Sequence, residues 1–426
     1  MSANPTRRPS HCRLPAGSDV LPFVYRITKY DPADRDTSGS YVGTVEAVSD
    51  HGAVESAYLQ AVAACAEHVG IDRLAVREPQ IAPAHVGFGT EPPVEGHGPA
   101  GLLPPDLAGF HDGAQVSLAV GLELVRAMLR DSGVWCRLEV EGRFTIHVGW
   151  DQYVYIGSSE PYEEALARTR ALGLFPERLD TSPYDPDYDE PGEQRPADDV
   201  FWARLRWCVA ERRAAILEEV HAGNAVRWHR LTDATLDQVR ARLTPRAQLA
   251  VWPDLSTDVA AVLASLPEEG SIELVLEDAE GRITSTIADD IRFAEQAAES
   301  TGALAAAALS LYAGVRQPLF TAVLPDNDGV LRARWRTDPT PSDLHWALLK
   351  SLYRGKVVTG TVSGIADRGV TFVDIDGFTA RTRPDHLSDT VPVGREVTAE
   401  VLEVDMVRER VLLSLTTRRP GPMSGE

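Results

Sequence analysis

The sequence predicts a multidomain α+β chain: two mixed α/β regions followed by a small C-terminal β-barrel of five strands. Three observations carry that expectation. The chain has 426 residues, more than a single hydrophobic core normally serves. Residues 178–199, RLDTSPYDPDYDEPGEQRPADD, are rich in Pro and Asp and nearly free of aliphatics, so they interrupt the apolar sequence with a stretch that cannot bury itself. From Lys356 onward, short Val-rich segments are punctuated by Gly360, Gly364 and Gly369, and small barrels need such bends to close.

The elements follow in order. Residues 1–22 carry Arg7, Arg8 and Arg13 among Pro and Ser, without an apolar run of signal-peptide length, and read as a disordered tail. FVYRITKY (23–30) alternates like a half-buried strand. A helix is expected from about Val54 to Val69, then a strand over RLAVREPQI. Residues 81–113 hold many Pro, Gly and His residues and read as a long loop. SLAVGLELVRAMLRDSG spaces its apolar residues helically and stops at Gly133. VWCRLEV, RFTIHVGW and YVYIGS read as a meander turning at Glu141-Gly142 and Asp151-Gln152. A helix from Ser159 and Pro161 to about Leu172 completes an N-terminal domain over 23–177, and 178–199 is its acidic linker.

A middle domain, 200–340, opens with one amphipathic helix across FWARLRWCVAERRAAILEEVHAG (201–223). Strands are expected at 225–231 and 247–252, then a hairpin of SIELVLED and RITSTIA around Ala279-Glu280-Gly281. A helix over 289–312 and strands near 319–324 and 330–335 follow, the last two flanking the turn residues Asp326-Asn327-Asp328-Gly329. A connecting helix, 341–354, has Thr340 as cap, Pro341 at its first position and Asp343 at its positive end. Five strands then span 356–365, 369–375, 378–383, 396–404 and 411–416, with Asp376-Gly377 as a tight turn and 419–426 as a disordered tail.

Six pieces stand in register along this last module, 355–418: GKVVTGTVSGI, RGVTFVDIDGF, HLS, VPVG, VTAEVLEVD and RVLLSL. Through them it resembles the S1 RNA-binding domain, a family of the OB-fold, over about seventy residues, roughly a sixth of the chain. The resemblance implies single-stranded RNA as partner, held across the second and third strands by stacking on aromatics beside a basic groove, at roughly 1–3 kcal/mol per stacked base. Carried onto this chain, the RNA-binding residues are Lys356, Arg368, Phe372, Phe378, Arg381, Arg383, His386 and Arg408. Arg368 stands where the family has an aromatic, and the family's third-strand histidine has no clear match, Arg381 and Arg383 lying in that area. A guanidinium can stack on a base as well as pair with phosphate. Phe372 alternates with Val370 and could equally face the core, and Lys356, Arg408 and Arg410 could simply pair with Asp405 and Glu409.

Charge bounds what such a module can do. The chain carries a formal −21 with a pI near 5.0, which argues against a whole-surface nucleic-acid or membrane binder. From Lys350 to Glu426 there are 11 basic and 11 acidic residues, so the entire excess lies upstream. Binding is therefore expected to be weak and salt-sensitive, helped by multivalency or by the ribosome or another protein engaging the upstream domains. No run of eighteen apolar residues is present, so no membrane span is expected. Cys12, Cys65, Cys136 and Cys208 are scattered, which suits reduced thiols in the cytoplasm.

Other constellations are weaker. His97, Asp106, His111 and Asp112 could hold a metal or form an acid–base site, but their spacing fits no known pattern and solvated loop residues explain them. His147 with Trp150, Asp151 and Tyr153 could form a ligand-stacking sheet or a half-buried meander. YDPDYDE (184–190) lacks the Gly and final Glu of a calcium loop. FWARLRWCVAERR, with Trp202 and Trp207 among arginines, reads as a core helix with a charged outer face. No phosphate-binding, dinucleotide, zinc-protease or nucleophile-elbow motif occurs, and no cofactor or metal is expected. The leading expectation is a non-enzymatic, regulatory or translation-associated RNA-binding protein. Two alternatives stay open: an RNA-processing enzyme whose upstream site would involve His97, His111 or His147, and an immunity- or antitoxin-like inhibitor covering a basic partner with its acidic surface.

Overall fold

The structure is a computed structural model and describes residues 21–45, 52–82, 102–104, 106–149, 152–185, 192–267, 271–289, 302–366, 370–382 and 391–415. The chain forms two compact units, one of residues 1–254 with 320–335, the other of 255–319 with 336–426.

The first unit begins with β1 (Phe23–Thr28), α1 (Ala53–His68), β2 (Arg73–Ile81), β3 (Gln115–Ser117), α2 (Leu118–Leu129), β4 (Val134–Val140), β5 (Phe144–Val148), β6 (Val154–Ser158), α3 (Glu163–Ala171) and β7 (Phe175–Leu179). The strands make one antiparallel sheet in the order β3-β2-β4-β5-β6-β1-β7. Alternation decides its two faces. Ile27, Leu138, Phe144, Ile146, Val154 and Ile156 are wholly buried and share a core with residues of α1, α2 and α3. Cys65 and Cys136 lie in that core as free thiols, and burial pushes both pKa values up to about 12. Sequence periodicity had placed these elements except β3 and β7; β7 pairs with β1 and runs two residues into the Pro/Asp-rich stretch.

The chain continues as α4 (Asp199–Ala210), β8 (Ile216–Ala222), β9 (Ala225–Arg230), α5 (Leu236–Arg240) and β10 (Gln248–Trp252). It then contributes α6 (Val259–Ala264), β11 (Ser271–Glu277), β12 (Ile283–Asp289) and β13 (Ala305–Ser310) to the second unit before returning as β14 (Phe320–Val323). The second sheet of the first unit has the order β14-β10-β8-β9, packed against α4 through Phe201, Trp202 and Leu205. Asp198 caps α4 by accepting from the Val200 and Phe201 amides, and Gln194 donates to the Ala333 and Trp335 carbonyls.

Three expectations are corrected here. The single helix over 201–223 is a helix and a strand: α4 stops at Ala210, Arg212 takes a φ of 55°, and residues 216–222 pair with β9 and β10. Glu218 and Glu219 are buried carboxylates served by cross-strand donors. Glu218 accepts from Trp252 Nε1 at 2.7 Å, and Glu219 lies 2.7 Å from His229 Nε2. Residues 305–310, AAAALS, are a strand and not part of a helix, because pairing with β11 outweighs the helix preference of alanine. Residues 330–335 form no strand; Arg332 pairs with Asp326 and Asp328 at 2.7 Å, and Arg334 with Glu139 at 3.1 Å.

The second unit contains a three-stranded antiparallel sheet, β12-β11-β13, covered in part by α6. It also holds α7 (Pro341–Ser351), β15 (Val357–Ile365), β16 (Thr371–Ile375), β17 (Phe378–Thr382), β18 (Glu396–Asp405) and β19 (Arg410–Leu415). Thr340 and Asp343 form a reciprocal capping box at the start of α7, with Pro341 at its first position. The five strands close in the order β15-β16-β17-β19-β18, antiparallel except where β17 meets β19, which is an OB-fold. Val358, Val373, Ile375, Phe378, Val401 and Leu413 fill the barrel, and Leu349 of α7 and Leu352 just after it pack against that core. Asp376 and Gly377 both have positive φ, 51° and 88°, as a two-residue hairpin turn requires.

Candidate nucleic-acid interface

The outer face of β16 and β17 is set by strand alternation. On β16, Thr371, Val373 and Ile375 point inward and Phe372 and Asp374 outward; on β17, Phe378, Ala380 and Thr382 point inward and Thr379 and Arg381 outward. Phe372 lies opposite Arg381 on one side and Gly364 on the other. A Cβ at Gly364 would stand 3.6 Å from Phe372 Cδ2, so the bare backbone of β15 forms a floor on which the ring lies. Phe372 is half-buried, with its ring on the outer side of the sheet, and Arg381 is exposed and has no ion-pair partner among the described residues. Ring and guanidinium thus stand side by side on a convex surface, the pairing that stacks one base and meets the next phosphate.

The other expected residues divide. Phe378 is corrected: only 3% exposed, it belongs to the barrel core and meets the His345 ring of α7 at 5.1 Å, so it offers no face to a base. Lys356 lies just before β15, far from Gly364 at the strand's other end. Its Nζ donates to the Ser351 carbonyl at 2.8 Å, which neutralises the C-terminal end of α7. Arg408 is exposed in the β18–β19 turn and pairs with Asp405 at 3.1 Å, as its neighbours in sequence had suggested. Arg368, Arg383 and His386 lie outside the described residues.

β18 carries an acidic row. Glu396, Glu400 and Glu403 are exposed on β18, and Glu396 and Glu400 pair in register with Thr361 and Val357 of β15. An acidic row of this kind repels a polyanion. Sequence reading missed both Gly364 as the floor and this acidic flank. The alternating Glu residues of EVTAEVLEV were the available signal.

Upstream, Asp112 is 2% exposed and accepts from Arg77, from the Glu78 amide and from Arg246 at 3.0–3.2 Å; it is an ion-pair hub of the first unit, not a solvated loop residue. Asp106 accepts from the nearby Ala108 amide, His111 contacts the Asp112 carbonyl, and His97 lies outside the described residues. No group of three or more His, Cys, Asp or Glu among the described residues is arranged to hold a metal. His147 sits on the sheet face away from the helices, 4.5 Å from the Tyr184 ring, and burial, then the charge of Arg137, pushes its pKa down to about 3. Trp150, Asp151 and residues 186–190 are outside the described residues, and Tyr153 stacks under Arg26. Trp202 is a core residue, whereas Trp207 is exposed beside Arg213. No helix among the described residues is long and apolar enough to cross a membrane.

No family model matches the chain. Over 104 residues it is 39% identical to small ribosomal subunit protein bS1 of Mycobacterium leprae, which covers 22% of this chain and 21% of that protein. Small ribosomal subunit protein bS1 of Neisseria meningitidis serogroup B is 35% identical over 107 residues, covering 23% and 19%. The bS1 homolog of Bacillus subtilis is 40% identical over 83 residues, covering 18% and 22%. The chain therefore spans about a fifth of the length of these relatives. Among solved structures, a multidomain protein with nucleic acid binding domains from Streptococcus pneumoniae aligns with 34% of this chain and 59% of its own at 12% identity and a TM-score of 0.14, too slight a likeness to argue from.

Proposed function

We propose that this chain is an RNA-binding protein of the cytoplasm, associated with translation or its regulation, and that it holds single-stranded RNA on the outer face of β16 and β17. The observation that carries the reading is the half-buried Phe372 ring laid on Gly364 beside the exposed Arg381. Identity with proteins named bS1 supports it, since those names place them in the small ribosomal subunit. Arg368 and Arg383, carried over from the sequence as RNA contacts, belong to the same proposal.

One ring and a few arginines give modest affinity. A stacked base contributes roughly 1–3 kcal/mol, and each phosphate neutralised on a single strand adds about 0.7 to the slope of log affinity against log salt. The upstream charge of −21 opposes any polyanion, so useful occupancy needs a second contact, on the RNA or on a ribosome-like assembly. The test is fluorescence anisotropy of labelled single-stranded RNA with the full chain across a salt series. Arg381→Glu is expected to weaken binding and flatten the salt slope by about 0.7 or more. Parental affinity and slope in a folded Arg381→Glu and Phe372→Ala double variant would remove this face from the function.

A further inference from the structure

The outer face of α4, in the first unit, carries an apolar ring that the fold does not use. Val200, Arg204, Trp207 and Glu211 recur at helical spacing and all four are exposed, while Phe201, Trp202, Leu205 and Cys208 face the core beneath. Trp207 is 52% exposed, the most open of the described tryptophans, whereas Trp202 on the same helix is 2% exposed. Water solvates the charged neighbours well but gains nothing from the indole, so this ring is the costly residue of the face. Among the described residues the Arg213 guanidinium meets it, 5.2 Å from the centroid. With half of its area open, the ring keeps room for a further planar group.

The charge beside the ring runs against that of the whole chain. Residues 201–213 hold four arginines and one acid, Glu211, in a chain of formal charge −21. Arg206 pairs with Asp237 of α5 at 2.8 Å. Arg204, Arg212 and Arg213 are exposed and have no ion-pair partner among the described residues; Arg204 lies over the Phe320 ring of β14 at 4.1 Å. Asp198 and Asp199 stand at the opposite end of α4, roughly 20 Å along the helix axis from Arg212. At physiological salt, exposed charges more than about 8 Å apart are largely screened. A ligand at this end of α4 therefore meets the local excess of arginine and not the total charge.

We infer that the C-terminal half of α4 is a second RNA contact, with a base stacked on the open side of Trp207 and phosphates met by Arg204, Arg212 and Arg213. The inference rests on the reading that this chain binds single-stranded RNA, and it supplies the further contact on the RNA that a barrel face with one ring needs. An exposed indole suits any base, because every base has a π face. Arginine pairs with phosphate and also stacks on rings, and Arg213 is already placed over the indole. An acidic peptide would satisfy the arginines but leave the indole without a planar partner, which is why RNA is the occupant this surface fits.

The test uses the full chain and two labelled single-stranded RNAs, a hexanucleotide that fills one site and a strand of about thirty nucleotides that can join two. In the Arg381→Glu and Phe372→Ala background the hexanucleotide is expected still to bind, weakly, and to quench indole fluorescence; adding Trp207→Phe removes the quenching. With the barrel face intact, Trp207→Ala combined with Arg213→Glu is expected to weaken the long strand roughly tenfold while leaving the unfolding midpoint unchanged. Loss of all hexanucleotide binding in the barrel variant would overturn the assignment. So would parental affinity for the long strand in the folded α4 variant, or quenching of Trp207 by polyglutamate and not by RNA, which would assign the surface to an acidic protein. The barrel face is read separately, from the fall in hexanucleotide affinity between the parental chain and the barrel variant, so failure of one site is distinguished from failure of the other.

Discussion

At the scale of single residues, the barrel separates two phenylalanines that the sequence treats alike. Phe372 and Phe378 lie six residues apart on neighbouring strands, yet one ring faces outward over Gly364 and the other is 3% exposed in the core. Their alanine variants should therefore fail in different ways. Phe372→Ala is expected to reduce RNA affinity by roughly 1–3 kcal/mol with little change in unfolding midpoint. Phe378→Ala is expected to cost about 3–5 kcal/mol of barrel stability, with the affinity of the remaining folded protein nearly parental. Parallel measurement of anisotropy and urea unfolding on both variants checks the pair, and a Phe372→Ala variant that lost stability but kept affinity would contradict the assignment. Arg381 and Lys356 differ in the same manner: one is free to meet phosphate, the other is spent on the end of α7.

At the scale of elements, closure of the barrel rests on a close approach of β15 and β16. A Cβ at Gly360 would run into the Asp374 carbonyl oxygen and come within 2.7 Å of Val373 Cγ1. The carbonyl belongs to backbone paired on both sides, with Thr361 and Thr379 in register, so it cannot move away cheaply. Gly360→Ala is expected to destabilise the barrel by about 1–3 kcal/mol, the usual cost of overpacking. Chemical denaturation of the second unit reads this, and an unchanged midpoint would show that the strands part more easily than their pairing implies. The exposed Glu396, Glu400 and Glu403 make the outer side of β18 acidic.

At the scale of the whole molecule, the first unit carries its own sensitivity to acid. Burial, with Arg227 adding to it, lowers the pKa of His221 to about 4, and burial with Arg137 lowers that of His147 to about 3. Both imidazoles stay neutral in the fold but take up a proton near pH 6.5 once unfolded. Between those values the unfolded chain binds more protons, so stability falls as pH drops below about 6.5. Glu219 adds a second, more acidic loss. Burial opposes its charge, but hydrogen bonds from His229 and Thr244 hold its pKa at about 2, so its contribution is present above about pH 4.3 and disappears toward pH 2. Urea unfolding of the first unit is expected to show lower stability at pH 5 than at pH 7, with a smaller difference in His221→Gln. Equal stability at the two pH values would rule the histidines out.

The sequence by itself determined the barrel almost strand for strand, because glycine punctuation, period-two alternation and the Asp376-Gly377 turn are local signals that no distant contact overrides. It also determined most of the first sheet and the cap of α7. It left the two faces of β16 open, since alternation gives two sets of residues without saying which one is enclosed. Only the tertiary structure decided that residues 216–222 and 305–310 are strands, that β10 and β14 pair across an intervening segment, and that Asp112 is a buried hub. Each of those outcomes depends on a partner far along the chain: a cross-strand donor for a buried carboxylate, a free strand edge for an alanine run, two distant guanidinium groups for one aspartate. Such free energies belong to pairs of residues, and no window of neighbouring sequence contains both members.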